Sequence, residues 1–439
     1  MPRTAALLII LIASALNAQQ LPLAPKAHVV DINPKPGFFN EPAIAVNPAN
    51  PQQAVVAWQI NASAAYTNDG GRTWVIAEGT APRDYRVSGD VSLAYDASGH
   101  ALLCYIAFDK LGTTNYWAQG ATRNGIFVRR SPDGGKTWDA IPSTVISHQS
   151  IPNIPFEDKP WIVTDTSGKH AGNIYVGWTQ FTLSASDLLF SRSTDDGKTW
   201  SAPIKLNSRP GLPRDDNGAL EGFHGVVAPD GTLYTIWDNR DGIIMAVSRD
   251  GGKTFTKDRL IIPAGPGYFG ITGVARSNGF PQIGIDPHSG KLHVAWSDYT
   301  NGDVDVFVAS SSDQGQTWSS PVRVNNDSLH DGVDQFFQWM AVDPTSGAVN
   351  LIFYDRRPDN QATRVTLARS TDGGKRFSNY AFDQDEFVAE GDFLGDYLAI
   401  TAFGNKVFAA WAHQTTEETK LTGTRKTRTV LRVGTADFN

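Results

Sequence analysis

The sequence predicts an all-β protein, a β-propeller of seven four-stranded blades, and three observations predict it. One eight-residue pattern occurs six times, at Thr67–Trp74, Ser131–Trp138, Ser193–Trp200, Ser248–Phe255, Ser311–Trp318 and Ser370–Phe377. Its spacing of about 60 residues suits one four-stranded blade with generous loops. The same two apolar segments precede every copy, and a seventh pair near the C-terminus has no copy behind it.

The pattern reads as a turn. A hydroxyl residue stands two places before an Asp, as in Ser193 and Asp195, and a Gly follows two places after it, as in Gly197. Asp closes a turn on its own backbone, and Gly supplies the positive φ that such turns demand. The closing Trp or Phe opens the next strand and brings a large area to bury. Each copy is therefore expected to join the third and fourth strands of a blade.

The strands follow in order. Inner strands are expected at Ala43–Pro48, Val91–Asp96, Pro160–Asp165, Gly225–Pro229, Pro281–Asp286, Gln338–Asp343 and Tyr397–Ala402. The second strands of the first six blades end in Trp58, Phe108, Trp178, Trp237, Trp296 and Tyr354. In the last blade Lys406–Trp411 and Thr429–Val433 supply the second and third strands, and the chain then lacks a fourth. His28–Asn33 resembles the outer strands Pro203–Asn207 and Pro321–Asn325, so it is expected to complete that blade and close the ring. Six blades with extra strands is the alternative.

Composition bounds the setting. Arg3, the apolar run Ala5–Ala13 and the small residues up to Ala18 read as a secretory signal peptide over residues 1–18, leaving 19–439 as a single propeller domain. That run is too short to span a bilayer, and no later one is long enough. A secreted or periplasmic monomer is expected. A lone cysteine, Cys104, excludes an internal disulfide. The net charge of −7, without a basic patch, argues against nucleic-acid binding. Nine scattered His give no zinc cluster. No metal site is assigned; Asp215, Asp216, Asp303 and Asp305 are oxygen donors of the kind calcium takes, at a spacing that fits no specific loop.

The repeat also locates a site. The Asp turns mark one face, so the opposite face carries the residues just before the inner strands and just after the second strands. These include Glu41, Asp90, Asp158, Lys159, Glu221, His224 and Asp396 on the first side. On the second side stand Gln59, Asp238, Arg240, Asp355, Arg356 and Arg357. Converging carboxylates, amides and guanidinium groups suit polyhydroxylated or anionic sugars.

The six turns resemble the Asp boxes of the sialidase superfamily, over essentially the whole chain after residue 18. That resemblance implies three arginines on a substrate carboxylate, a Tyr nucleophile activated by Glu, and an Asp acid/base. Tyr397, in Gly395–Leu398, is similar to the nucleophile that opens the last blade. Glu221, ahead of Val226–Val227 and Asp230–Leu233, resembles the activating Glu, and Arg240 the Arg that follows it. Arg356 and Arg357 are candidates for another Arg. The first blade departs: Phe39–Pro42 holds Glu41 where the family has Arg, and Gln59–Ser63 has neither Arg nor Asp.

Two functions follow. The first is a carbohydrate-active enzyme, a glycoside hydrolase. Tyr397 would be its nucleophile, Glu221 its base or activator, and Asp238 or Asp355 its acid. Arg240, Arg356, Arg357, Glu41, Asp158, Lys159, His224 and Asp396 would hold the glycan. The second is a non-catalytic propeller that binds a glycan or another extracytoplasmic partner through loops such as Asn207–Leu220.

Overall fold

The computed structural model describes residues 20–33, 35–82, 84–109, 122–149, 155–166, 168–391, 393–418 and 425–439. The expected signal peptide lies outside them. Every regular element among them is a strand, and the strands form seven antiparallel blades plus one small two-stranded hairpin. The first blade shows the plan: Ala43–Val46 lines the axis, followed outward by Ala54–Trp58, Ser63–Thr67 and Val75–Ile76. The sixth carries an extra short strand, Phe387–Val388, on the other end of Ala362–Ser370.

The seventh blade closes as the sequence predicts. Ala399–Phe403, Lys406–Glu418 and Arg425–Asp437 supply three strands, and His28–Asp31 supplies the fourth. His28 faces Thr435 and Asp31 faces Arg432 in antiparallel register. The Arg432 guanidinium donates to Asp31 at 2.7 Å. The six-blade alternative is set aside.

Second strands carry the cores between blades. Ala101–Phe108 and Val349–Asp355 are buried at every position, because another blade covers each of their faces. The aromatic series that ends these strands is buried in all six blades. Burying one such ring contributes about 2–3 kcal/mol, so Trp237→Ala would cost about 3–5 kcal/mol.

The Asp turns join third and fourth strands on one face. Ser193 Oγ donates to Asp195 at 2.8 Å and accepts the Gly197 N–H at 2.9 Å. Asp195 in turn accepts the Thr199 N–H at 2.9 Å and its hydroxyl at 2.6 Å. The second glycine of the turn is needed for contact as well as for φ. A Cβ on Gly135 would fall 2.3 Å from Val55 of the preceding blade. The Gly135 turn therefore also docks neighbouring blades.

Inner strands from all seven blades surround an axial channel of about 400 Å³. Aromatic rings close it toward the face opposite the Asp turns. Trp161 packs 5.0 Å from both His224 and Trp339, and Trp339 packs 5.6 Å from Tyr397.

Candidate active site

A device repeated at the top of the inner strands builds the site. In the second, third, fourth and sixth blades the inner strand bulges before it settles into register. The residue at the bulge is left-handed: Asp90 at φ 45°, Lys159 at 46°, Gly222 at 69° and Phe337 at 53°. Glu41 holds the same place in the first blade at φ 49°. A non-glycine residue here is strained, and a bulge re-aims its side chain. In the seventh blade Gly395 takes the positive φ and Asp396 follows it. Neighbouring blades seven, one, two and three thus present Asp396, Glu41, Asp90 and Lys159 to one place, off the axis.

Those four residues line a cavity of about 410 Å³, together with Asp158, Asp215, Arg276 and, at the rim, Arg86. Gln59, Asn61 and Ser88 add neutral polar groups, and Phe108, Phe156 and Phe393 add aromatic wall. Two further loops deliver the rest. The hairpin Tyr268–Phe269 with Ser277–Asn278, inserted between the fourth and fifth blades, carries Tyr268 and Arg276. The loop before Glu221 carries Asp215.

Ion pairs organise the cavity. Arg276 Nε donates to Asp396 at 2.8 Å, and its terminal nitrogens reach Asp396 and Asp215. Lys159 Nζ also bonds Asp396, while the Lys159 N–H donates to Asp90 at 3.2 Å. Tyr268 Oη contacts Asp215 and lies 2.7 Å from Glu221 Oε2. Two carboxyl–carboxyl contacts remain, Asp90 with Asp158 and Asp215 with Glu221. Like charges in such pairs repel, which raises the Asp158 and Glu221 carboxyls.

The electrostatics split the acids into two sets. Burial, then Asp90 and Asp396, push the Glu41 carboxyl well above its usual range. Burial and Asp90 do the same to Asp158, and burial and Asp215 to Glu221. Asp215 goes the other way. Burial opposes its charge, but Lys159 and Arg276 override that, and Tyr268 and Glu221 bond it, so it stays below the usual range. Glu41 Oε2 and Glu221 Oε1 are buried without a hydrogen-bond donor.

The predicted residues divide. Glu41, Asp158, Lys159 and Asp396 meet in the cavity. Glu221 stands beside it, but its tyrosine partner is Tyr268 rather than Tyr397. Tyr397 lines a small adjoining cavity with Lys159, Trp161 and Trp339. Burial, then Glu41 and Asp90, push its phenol up, so it stays protonated.

Other predicted residues lie away from the cavity. Asp355 is buried in the sixth blade and accepts from Arg357 Nε and Thr366, both at 2.7 Å. Arg357 also donates to Asn326 at 2.6 Å. Arg356 donates to the Thr272 carbonyl at 2.7 Å and covers the Phe336 ring. These three brace loops. Arg240 is exposed on a tight turn. Asp238 lies under the inserted hairpin, where a Cβ on Gly267 would fall 2.2 Å from its carboxylate. His224 belongs to the axial aromatic plug, where burial lowers its pKa to about 3.

Sequence reasoning missed Arg276 and Tyr268. The long stretch between Pro263 and Pro281 was their only signal, and length does not say where a loop folds. Asp215 enters the sequence reading as an oxygen donor and as part of the recognition loop Asn207–Leu220, without a catalytic role.

Among the described residues one acidic trio is close enough to hold a metal ion: Asp158, Asp215 and Glu221, with oxygens within 4.8 Å of one another. Asp215 already spends its oxygens on Tyr268 and Arg276, which leaves a poor cation site. The Asp303 and Asp305 pair stands elsewhere, with Asp305 bonded to Arg323 at 2.6 Å, and Asp216 is exposed. No helix among the described residues is long and apolar enough to cross a membrane.

Comparison with known proteins gives the following. No family model matches the chain. A sialidase of Bacteroides fragilis is 28% identical over 279 residues, covering 57% of this chain and 47% of the relative. The xyloglucanase Xgh74A of Acetivibrio thermocellus is 27% identical over 312 residues, covering 64% of this chain and 32% of the relative. The chain thus spans less than half the length of these two curated relatives. Among solved structures, the α-L-arabinofuranosidase of Fusarium graminearum superposes with a TM-score of 0.50 at 14% identity, covering 80% of this chain and 94% of that one.

Proposed function

Taking the chain as a sialidase-like β-propeller, we propose that it is a glycoside hydrolase acting on neutral, polyhydroxylated glycans. Glu41 is its general acid and Asp215 its ionised carboxylate. One observation carries the reading: a single cavity holds one carboxyl, Glu41, whose ionisation burial and neighbouring carboxylates oppose, and another, Asp215, whose charge Lys159 and Arg276 favour. Glycosidic cleavage needs that division, with one acid protonating the leaving oxygen and one carboxylate facing the developing positive charge or activating water. The xyloglucanase relatives' names support the same substrate class, and the sialidase relative's name supports a glycan substrate in general.

The charge balance favours neutral sugars. Five carboxyl groups line the cavity, and its two inner cations are already paired to Asp396 and Asp215. Among the described residues that line this cavity, Arg86 at the rim is the cation outside those pairs. A sugar carboxylate would enter beside like charges, whereas sugar hydroxyls can pair with Asp90, Asp158, Gln59 and Asn61. The mechanism rests on the carboxyl groups rather than on tyrosine. Tyr268 holds Asp215 and Glu221 in place, and Tyr397 is a protonated wall.

Turnover of xyloglucan oligosaccharides, arabino-oligosaccharides and sialosides tests this. The neutral substrates should be cleaved, and Glu41→Gln and Asp215→Asn should each lower kcat about 10²-fold or more. Cleavage of sialosides alone, or a fully active Glu41→Gln, would sink the reading. A second reading, glycan binding without turnover, draws on the engagement of Asp215 and Asp396 by Tyr268, Arg276 and Lys159. Binding of the same sugars with no product would favour it. In either case we place the protein in the secreted or periplasmic space, as a monomer.

A further inference from the structure

A second hollow, of about 490 Å³, opens beside the acid cavity. The two share Gln59, Ile60 and Phe393 in their walls, so they form one continuous trough. Their linings differ in kind. Among the described residues, five carboxyl groups line the acid cavity and none lines the second hollow. Phe38, Ile60 and Phe393 give it apolar surface, Asn40, Gln59 and Thr429 give it neutral polar groups, and Arg428, lying over the Phe38 ring, adds one cation.

Two of these apolar side chains are held open to solvent against the usual preference. Phe38 is 58% exposed on a segment tied down at both sides. Gly37 pairs with Thr429, and the Phe39 N–H donates to Thr429 Oγ1 at 2.6 Å. The Arg428 guanidinium lies 4.6 Å from the Phe38 ring. Ile60 is 40% exposed and sits at φ 76°, the first of three successive left-handed residues with Asn61 and Ala62. A β-branched residue at that φ is an outlier, and such strain persists where surrounding structure and use require it. The strained turn sets Ile60 and Gln59 on the ridge between the two hollows.

We propose that this hollow is a second sugar subsite, which seats the neighbouring unit of a neutral oligosaccharide while the first unit occupies the acid cavity. Phe38 offers its ring to the apolar face of the sugar, and Gln59 and Asn40 bond its hydroxyls. The ligand class is therefore a chain of at least two sugar units rather than a single terminal residue. The subsite rests on the glycan reading of the acid cavity.

Calorimetric titration of the full chain with cello-oligosaccharides and arabino-oligosaccharides of one to five units tests it. In at least one series, affinity should rise about tenfold from one unit to two. Phe38→Ala should remove that rise while monosaccharide affinity stays unchanged, and Phe38→Tyr should restore it. Phe38 is exposed, so the circular dichroism and melting temperature of both variants should match the parent. Affinity independent of length, or a Phe38→Ala variant weakened equally for one unit and two, overturns the subsite and leaves the acid cavity standing. Failure of every member of both series to bind overturns the glycan reading, and the subsite with it.

Discussion

The two faces of this propeller use the same residue type in opposite ways. On the Asp-turn face each aspartate is near solvent and saturated with donors. The Thr199 hydroxyl and N–H hold Asp195 down to about 2, and the Thr317 hydroxyl and N–H do the same for Asp313. On the other face Glu41, Asp158 and Glu221 are buried among like charges, with some oxygens lacking any donor, and their carboxyls rise. A structural acid is one whose lone pairs are filled by its own turn. A chemically available acid is one the fold has desolvated and left short of donors.

The largest effect should separate activity from stability. Glu41→Gln should lower kcat about 10²–10⁴-fold while leaving the denaturation midpoint equal or raised, because it removes a buried group that resists ionisation. Loss of stability together with activity would make Glu41 a structural acid like those of the turns.

Arg276→Ala should do both kinds of damage. It strands Asp215 and Asp396 in a buried site, at a cost of about 3 kcal/mol, and abolishes turnover. Urea denaturation checks the first and kinetics the second. An unchanged midpoint would show that Lys159 alone neutralises the pair.

Ser193→Ala should act only on stability. It leaves the buried Gly197 N–H without its acceptor, at a cost of about 1–2 kcal/mol, with kcat unchanged. A change in kcat would mean that the turn face communicates with the cavity.

The smallest effect is the pH profile of stability, where the faces pull in opposite directions. Asp195 and Asp313 are lowered from 3.8 to about 2, so their contribution is complete above pH 3.8 and is lost as pH falls toward 2. Glu41 and Glu221 are raised above 4.5, so stability is highest at or below pH 4.5 and declines as pH rises through their folded values. Denaturation midpoints measured across the range should peak in the mildly acidic region. Glu41→Gln should flatten the alkaline decline, and Asp195→Asn the acid one.

Part of the site was legible because it obeys the repeat. Glu41, Asp90, Lys159 and Asp396 occupy equivalent places before their inner strands, and aligning the seven strands brings them together without coordinates. Asp355, Arg356 and Arg357 belong to the other series, after the second strand of the sixth blade, and there Asp355 and Arg357 bond each other while both arginines bond adjoining loops. Position in a repeat gives the face a side chain belongs to. It does not give the partner that claims it.

The sequence by itself determined the ring: six Asp turns, seven pairs of apolar strands, and an N-terminal strand that fills the one blade left short. Those are local and periodic properties, set by turn chemistry and strand patterning. Only the tertiary structure decided the chemistry. Tyr268 and Arg276 come from an inserted hairpin and Asp215 from a loop, none of which carries a periodic signal. Whether a carboxyl is protonated, charged or merely structural depends on the groups that long-range folding brings within a few ångströms of it.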